Sequence, residues 1–141
     1  MTLLNKFKKN SIKIILPKTI LNLEIYSLNL LHLRGKTKIR YKKSLIGHSD
    51  ADVVLHALVD SILGTIAEGD IGNKFPDTER KWKNVNSKIF LDYALKRLKN
   101  NNCKIIHLDI TIICQEPKID PHRNIIRNKI SKLLNISKKN I

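Results

Sequence analysis

Cysteine, proline, glycine and aromatic residues are all sparse in this 141-residue chain, which holds two Cys, four Pro, five Gly, three Phe, three Tyr and one Trp. Two cysteines cannot build the disulfide framework of a small secreted domain. Cys103 and Cys114 flank one apparent strand, and at about 3.3 Å per residue they stand too far apart to pair. A reducing compartment is therefore expected. So few prolines and glycines leave no Pro-rich or Gly/Ser-rich linker, and no internal repeat is visible, which points to a single domain. Seven aromatics are few for stacking the bases of single-stranded nucleic acid. No run approaches the roughly 18 apolar residues that a membrane-spanning helix requires. Residues 1–10 lack acids but also lack arginine, and no clean apolar stretch with a small-residue cleavage site follows. That argues against a transit peptide and against a secretion signal.

Acids are scarce at the two ends. Residues 1–43 hold eleven Lys and Arg against one acid, Glu24, and residues 121–141 hold six against none. The 77 residues between them are near neutral, with ten basic and eleven acidic side chains. The net charge of +15 is thus terminal. Such an excess suits nucleic acid, anionic membrane or phosphorylated ligands. An AT-rich coding sequence produces it equally well, since Ile, Lys and Asn make up 57 of the 141 residues.

Apolar residues are 42% of the chain and charged residues 28%, as in a globular protein. Residues 11–33 are strand-like and interrupted by Pro17, and Arg34-Gly35-Lys36 reads as a turn into a short strand, Thr37–Tyr41. Ser49 and Asp52 have capping-box spacing ahead of a helix whose buried face carries Val53, Val54, Ala57, Leu58 and Ile62. Asp52, His56 and Asp60 recur every four residues and share another face. Glu68–Glu79 reads as a loop and Ser87–Leu98 as a second amphipathic helix. One long strand follows, with Ile106, Leu108, Ile110, Ile112 and Cys114 on its core face. Asp120-Pro121 then offers a cap and a first-turn proline to a third helix, with Ile125, Ile126, Ile130, Leu133 and Leu134 inward. The alternation predicts α/β or α+β packing, with helices on one face of a sheet.

The residues suited to chemistry each have a plain structural reading too. His56 is an ordinary helix histidine or, between Asp52 and Asp60, an imidazole oriented toward a divalent metal. One His is not a zinc site, which wants three protein ligands. His48 and Ser49 precede a helix N-terminus that suits a phosphate, or Ser49 caps it and His48 is exposed. Asp70-Ile71-Gly72 and Phe75-Pro76-Asp77-Thr78-Glu79 mix carboxylates with flexible backbone and read singly as solvated loop. Pro117-Lys118 sets a lysine beside another helix start, at a second phosphate or at the surface.

The order of these pieces says more than any one of them. His-Ser-Asp-x-Asp-x-x-x-His, Gly-Asp-Ile-Gly-x-x-Phe-Pro-Asp-Thr, Asp-Ile-Thr-Ile-Ile-x-Gln-x-Pro-Lys and Pro-His succeed one another without an obvious gap. Over residues 37–136 the chain resembles the 2-C-methyl-D-erythritol 2,4-cyclodiphosphate synthases of the non-mevalonate isoprenoid pathway. The resemblance implies an α/β homotrimer with sites between subunits, whose substrate is a cytidine diphosphate derivative; neither nucleic acid nor membrane is an expected partner. It implies cyclisation of 4-diphosphocytidyl-2-C-methyl-D-erythritol 2-phosphate with release of CMP, in a bacterial cytoplasm or a plastid. By motif, His56 would bind a zinc- or manganese-type ion, and His48 and Ser49 would contact the attacking phosphate, with His48 catalytic. Asp70, Ile71, Gly72, Phe75, Pro76, Asp77, Thr78 and Glu79 would hold the methylerythritol part. Cys114, Gln115, Glu116, Pro117, Lys118, Ile119 and Asp120 would form the cytidine pocket.

The ends depart from the family pattern. Residues 1–36 form a divergent segment in which Asn22-Leu23-Glu24 stands where the family has Asp-x-His, so Glu24 is the remaining candidate for a second metal ligand. Residues 137–141 form a short basic tail where the family continues with Lys-Ala-Thr-Thr-x-Glu, so the expected magnesium ligand is missing. A frameshift, a truncation or divergence of the ends around an intact middle accounts for both. The rival readings are a catalytically impaired remnant that keeps the fold and nucleotide binding, and a basic nucleic-acid-binding protein.

Overall fold

The computed structural model describes residues 52–113 and 117–141 and, ahead of them, the backbone of four short strands. These strands are β1 (Ile12–Ile15), β2 (Thr19–Asn22), β3 (His32–Leu33) and β4 (Thr37–Lys38). Helix α1 (Val53–Thr65), the one-turn α2 (Ile71–Lys74) and α3 (Lys88–Asn100) follow, then β5 (Cys103–His107), β6 (Ile110–Ile113) and α4 (Arg123–Leu134). The mixture of helices and strands is the α/β composition that the sequence predicts. Among the described residues no helix is long and apolar enough to cross a membrane.

The core forms where α1 meets α3. Val54, Leu55, Leu58, Val59, Ile62 and Leu63 of α1 pack with Phe90, Leu91, Ala94 and Leu98 of α3, and Ile105, Leu108, Ile130 and Leu134 complete the cluster. Ala94 is fully buried, and so small a side chain lets the two helices approach closely. Helix α1 also lies against β2, and α3 against β5.

Two parallel pairs carry the strands: β1 with β5, from Ile12 opposite Cys103, and β2 with β6, from Thr19 opposite Ile110 to Asn22 opposite Ile113. β3 and β4 pair antiparallel with Leu33 opposite Thr37, and the turn expected over Arg34-Gly35-Lys36 lies outside the described residues. The single long strand expected through residue 114 is in fact divided. The register slips between Ile14, opposite Ile105, and Ile15, opposite His107, so Ile106 is skipped and inward-facing positions change parity. Ile105 is therefore buried where Ile106 was expected, and Leu108 resumes the core face. Leu108 N then donates to Asn140 O at 2.8 Å instead of to a neighbouring strand. Pro17, with no N–H to offer a ladder, falls between β1 and β2 in sequence.

Other boundaries differ for local reasons. The cap of α1 is Asp52, not Ser49: its Oδ1 accepts from Leu55 N at 3.1 Å, and the residue is fully buried. Glu68–Glu79 is not all loop, because Asp70 caps the turn of α2 through Asn73 N at 2.7 Å. Asp120 caps nothing; it opens a 3-10 turn, Asp120–His122, and pairs with Arg123 at 3.1 Å. Ile125 is 47% exposed, since it lies about 140° around α4 from Ile130 and off the stripe of Ile126, Ile130, Leu133 and Leu134. Residues 137–141 are held against the helices by local contacts. Asn135 turns the chain in the left-handed region, Arg127 Nη2 donates to Lys138 O at 2.6 Å, and Ile141 packs against the core.

The end of α1 is tied to α3 by one ion pair. Arg97 Nε donates to both carboxylate oxygens of Glu68, at 2.9 and 2.7 Å, and Asn101 Nδ2 adds a bond at 3.3 Å. The Arg97 hydrogen bond holds the Glu68 carboxyl below its ordinary value of 4.5 and raises the Arg97 guanidinium. A depressed carboxyl binds its proton later than in the unfolded chain, so this pair stabilises fully above the unfolded value and is lost as pH falls through the folded one. Glu68→Gln is therefore expected to flatten the acid limb of stability without steepening the neutral range, read by urea unfolding between about pH 6 and pH 3.

Candidate functional site

His56 lies half-buried on α1, where its ring meets Ser87 and Phe90 at the start of α3. Its Nε2 is 3.0 Å from Ser87 Oγ, within a hydrogen bond, and Phe90 meets the imidazole edge-on with ring centroids 5.7 Å apart. The expected row of Asp52, His56 and Asp60 does not act as a unit. Asp52 is occupied as the helix cap, and Asp60 Oδ1 accepts from Ile71 N at 2.8 Å. The spacing put three polar residues on one face, but each is engaged by a different backbone or side-chain partner.

Asp60 thereby anchors the loop in which the sequence placed substrate contacts. Asp70 holds α2 with both carboxylate oxygens, Oδ1 on Asn73 N and Oδ2 on Asn73 Nδ2 at 3.2 Å. Gly69 sits at φ +85°, a left-handed conformation that glycine adopts without strain. Ile71 is half-buried against the core, and Gly72 stands exposed beside Asp70. Phe75 joins an aromatic cluster, with ring centroids 4.6 Å from Phe90, 5.0 Å from Trp82 and 5.2 Å from Tyr93. His56 and Phe75 are thus linked through Phe90. Beyond it Pro76 is half-buried, Asp77 and Thr78 are exposed, and Glu79 pairs with Lys81.

The remaining candidates gather elsewhere. Ile119 and Asp120 line a cavity of about 620 Å³ together with Asp109, Thr111, Arg123 and Ile141, and no residue of the His56 group lines it. Lys118 is exposed and Pro117 half-buried. Glu24, His48, Ser49, Cys114, Gln115 and Glu116 lie outside the described residues. Among the described residues, no three His, Cys, Asp or Glu side chains come together as a metal would need. His56 alone fits one position of such a site, as an imidazole whose second nitrogen is oriented by a hydroxyl.

Sequence reasoning missed Ser87, Phe90 and Trp82. Ser87 read as a helix start, and nothing local marks a capping serine as the partner of a histidine 31 residues earlier.

Residues 26–141 match the YgbB family. A 2-C-methyl-D-erythritol 2,4-cyclodiphosphate synthase of Clostridium perfringens is 52% identical over 102 residues, 72% of this chain and 65% of that protein. A bifunctional enzyme IspD/IspF of Bartonella bacilliformis is 48% identical over 100 residues, 71% of this chain and 25% of its own length. Among solved structures, a 2C-methyl-D-erythritol-2,4-cyclodiphosphate synthase superimposes with a TM-score of 0.65 at 33% identity, over 76% of this chain and 71% of that one. The CDP complex of IspF from Plasmodium falciparum gives 0.65 at 38% identity, over 83% of this chain and 65% of that one. The chain thus spans just under two thirds of the length of the Clostridium protein.

Proposed function

Since this chain belongs to the YgbB family, we propose that it cyclises 4-diphosphocytidyl-2-C-methyl-D-erythritol 2-phosphate and releases CMP. What carries the reading is the unbroken order of the motifs around His48, His56, Asp70, Phe75 and Lys118, with His56 held in one orientation by α3. An oxygen of the substrate's 2-phosphate attacks the β-phosphorus of the cytidine diphosphate arm. That new P–O bond forms as the bond from the β-phosphorus to the bridging oxygen breaks, and this oxygen departs on the α-phosphate as CMP. No protein nucleophile is needed, so the protein's share is positioning and charge stabilisation.

His48 and Ser49 receive the attacking phosphate ahead of α1, and His48 stabilises the charge that develops on it. Asp70, Ile71 and Gly72, with Phe75 to Glu79, hold the methylerythritol part; Asp60 supports this role by fixing the backbone at Ile71. Cys114 through Asp120 take the cytidine, with Lys118 near its phosphates. His56, with Glu24 as a second ligand, would hold a zinc- or manganese-type ion, which would supply a Lewis acid for phosphate oxygens. The magnesium expected at the diphosphate has no ligand assigned among these residues. The separation of the His56 group from the cavity at Ile119 and Asp120 supports a homotrimer in which neighbouring subunits complete each site. The protein works in a bacterial cytoplasm or a plastid.

The test is CMP release from the authentic substrate with zinc and magnesium supplied, compared with the same protein after EDTA. Release that stops with chelation and returns with metal is the expected result. A folded protein that never releases CMP would leave the family relationship standing and remove the reaction.

A further inference from the structure

We propose that the groove between β6 and α4 seats one further strand, an extended apolar segment of a separate polypeptide that joins β6 in parallel.

Successive side chains of a strand point to opposite faces of its sheet. The cavity of about 620 Å³ is nevertheless lined by four consecutive residues, Asp109, Ile110, Thr111 and Ile112. It therefore follows an edge of the strand and not one of its faces. One edge is taken by β2, paired from Ile110 to Ile113. The cavity runs along the other, which pairs with no strand among the described residues. Its opposite wall is a stripe of α4, Arg123, Ile126, Arg127 and Ile130, at the i, i+3, i+4, i+7 spacing of one helix face.

Asn140 and Ile141 mark where a strand enters. Leu108 N donates to Asn140 O at 2.8 Å, as in the first rung of a ladder, and Ile141 lines the cavity just beyond. The step from 140 to 141 follows the sense of β6, so an occupant continuing that line lies parallel to it. By the alternation of an extended chain, Ile110 and Ile112 turn their N–H to the same side as Leu108 and offer two donors. Helix α4 offers a third. Arg127 Nη2 already binds a main-chain carbonyl, that of Lys138, at 2.6 Å, while its Nε is buried with no acceptor among the described residues. A carbonyl of the added strand satisfies this donor, which is costly to leave unmade. The charges of the lining cancel, Asp109 and Asp120 against Arg123 and Arg127, so a polyanion gains nothing there. The isoleucines of β6 and α4 instead receive apolar side chains. Main-chain bonds supply the affinity and the apolar wall the selection, as in other strand additions.

The experiment uses the full chain, labelled with 15N, and a short blocked peptide of alternating valine and threonine, with its fully N-methylated counterpart as control. Amide hydrogen exchange is read residue by residue. At saturation the unmodified peptide is expected to slow exchange at Ile110 and Ile112 about 10-fold or more and to leave Asp109 and Thr111 unchanged. The N-methylated peptide, which has no N–H to give a ladder, is expected to have no effect. Arg127→Gln is expected to bind the unmodified peptide about 10-fold more weakly. No slowing, equal slowing by both peptides, or slowing at Asp109 and Thr111 instead would overturn the proposal. So would Ile110 and Ile112 amides already protected in the isolated protein. Protection that fades on dilution would give the edge to a second copy, and protection that does not would give it to the chain itself. The two peptides are compared on the wild type, so misfolding of the Arg127 variant does not blunt the test.

Discussion

CMP release by the His56→Ala protein is expected to fall on the order of 100-fold or more while the fold survives. The two halves of that expectation come from different atoms. His56 sits at the margin of the core, where its ring meets Ser87 in a hydrogen bond and Phe90 edge-on. Losing them costs about 1–2 kcal/mol, because the rest of α1 is held by Leu55, Leu58, Val59, Ile62 and Leu63. Removal of the imidazole takes away the proposed metal donor outright. Steady-state CMP release at saturating zinc and magnesium, set beside thermal unfolding of the same samples, separates the effects. Wild-type release by the variant would mean that any metal is held without this residue.

Truncating Ile62 is expected to produce a large loss of stability. Ile62 is 0% exposed, in the middle of the cluster shared by α1 and α3. Ile62→Ala leaves a cavity that its neighbours on two packed helices cannot close. The cost is about 2–5 kcal/mol, the lost transfer energy of the removed carbons plus the cavity itself. The urea midpoint should fall with an unchanged slope, since the surface exposed on unfolding is nearly the same. Ile89→Ala is the control. That isoleucine is 50% exposed on α3, and its truncation is expected to move stability by no more than about 0.5 kcal/mol. Equal effects of the two substitutions would mean that the α1–α3 contact is not the core of the folded state.

The helices were the legible part of this chain, because their apolar spacing records which side faces inward. Val54, Ala57, Leu58 and Ile62 are buried as that spacing requires, and so are Ile130 and Leu134. The strand was legible in composition but not in continuity. Its break at Leu108 depends on a partner strand some 90 residues earlier and on Asn140 more than 30 residues later, and no local pattern carries either. The cap of α1 failed for a subtler reason. Ser49 and Asp52 are both good caps, and only the burial of Asp52 against the packed helices decides between them. At the site, residue types announced His56 and the loop at Asp70, while the bonds from His56 to Ser87 and from Ile71 N to Asp60 were not legible. A hydroxyl or carboxylate acquires such a role from the neighbour it meets in space, not from its own surroundings in sequence.

The parallel pairing of β1 with β5 has a consequence for synthesis on the ribosome. Ile12 emerges about 90 residues before Cys103, its opposite number, has been made. At roughly 5–20 residues per second β1 and β2 wait several seconds for their partner strands β5 and β6. Helices α1 and α3 suffer no such delay, since their contacts close over a few tens of residues. The helical pair is then the first part of the nascent chain able to bury apolar surface. The N-terminal strands dock last, after the greatest loop-closure cost, and the interval before they do is when this isoleucine-rich segment is most exposed to aggregation.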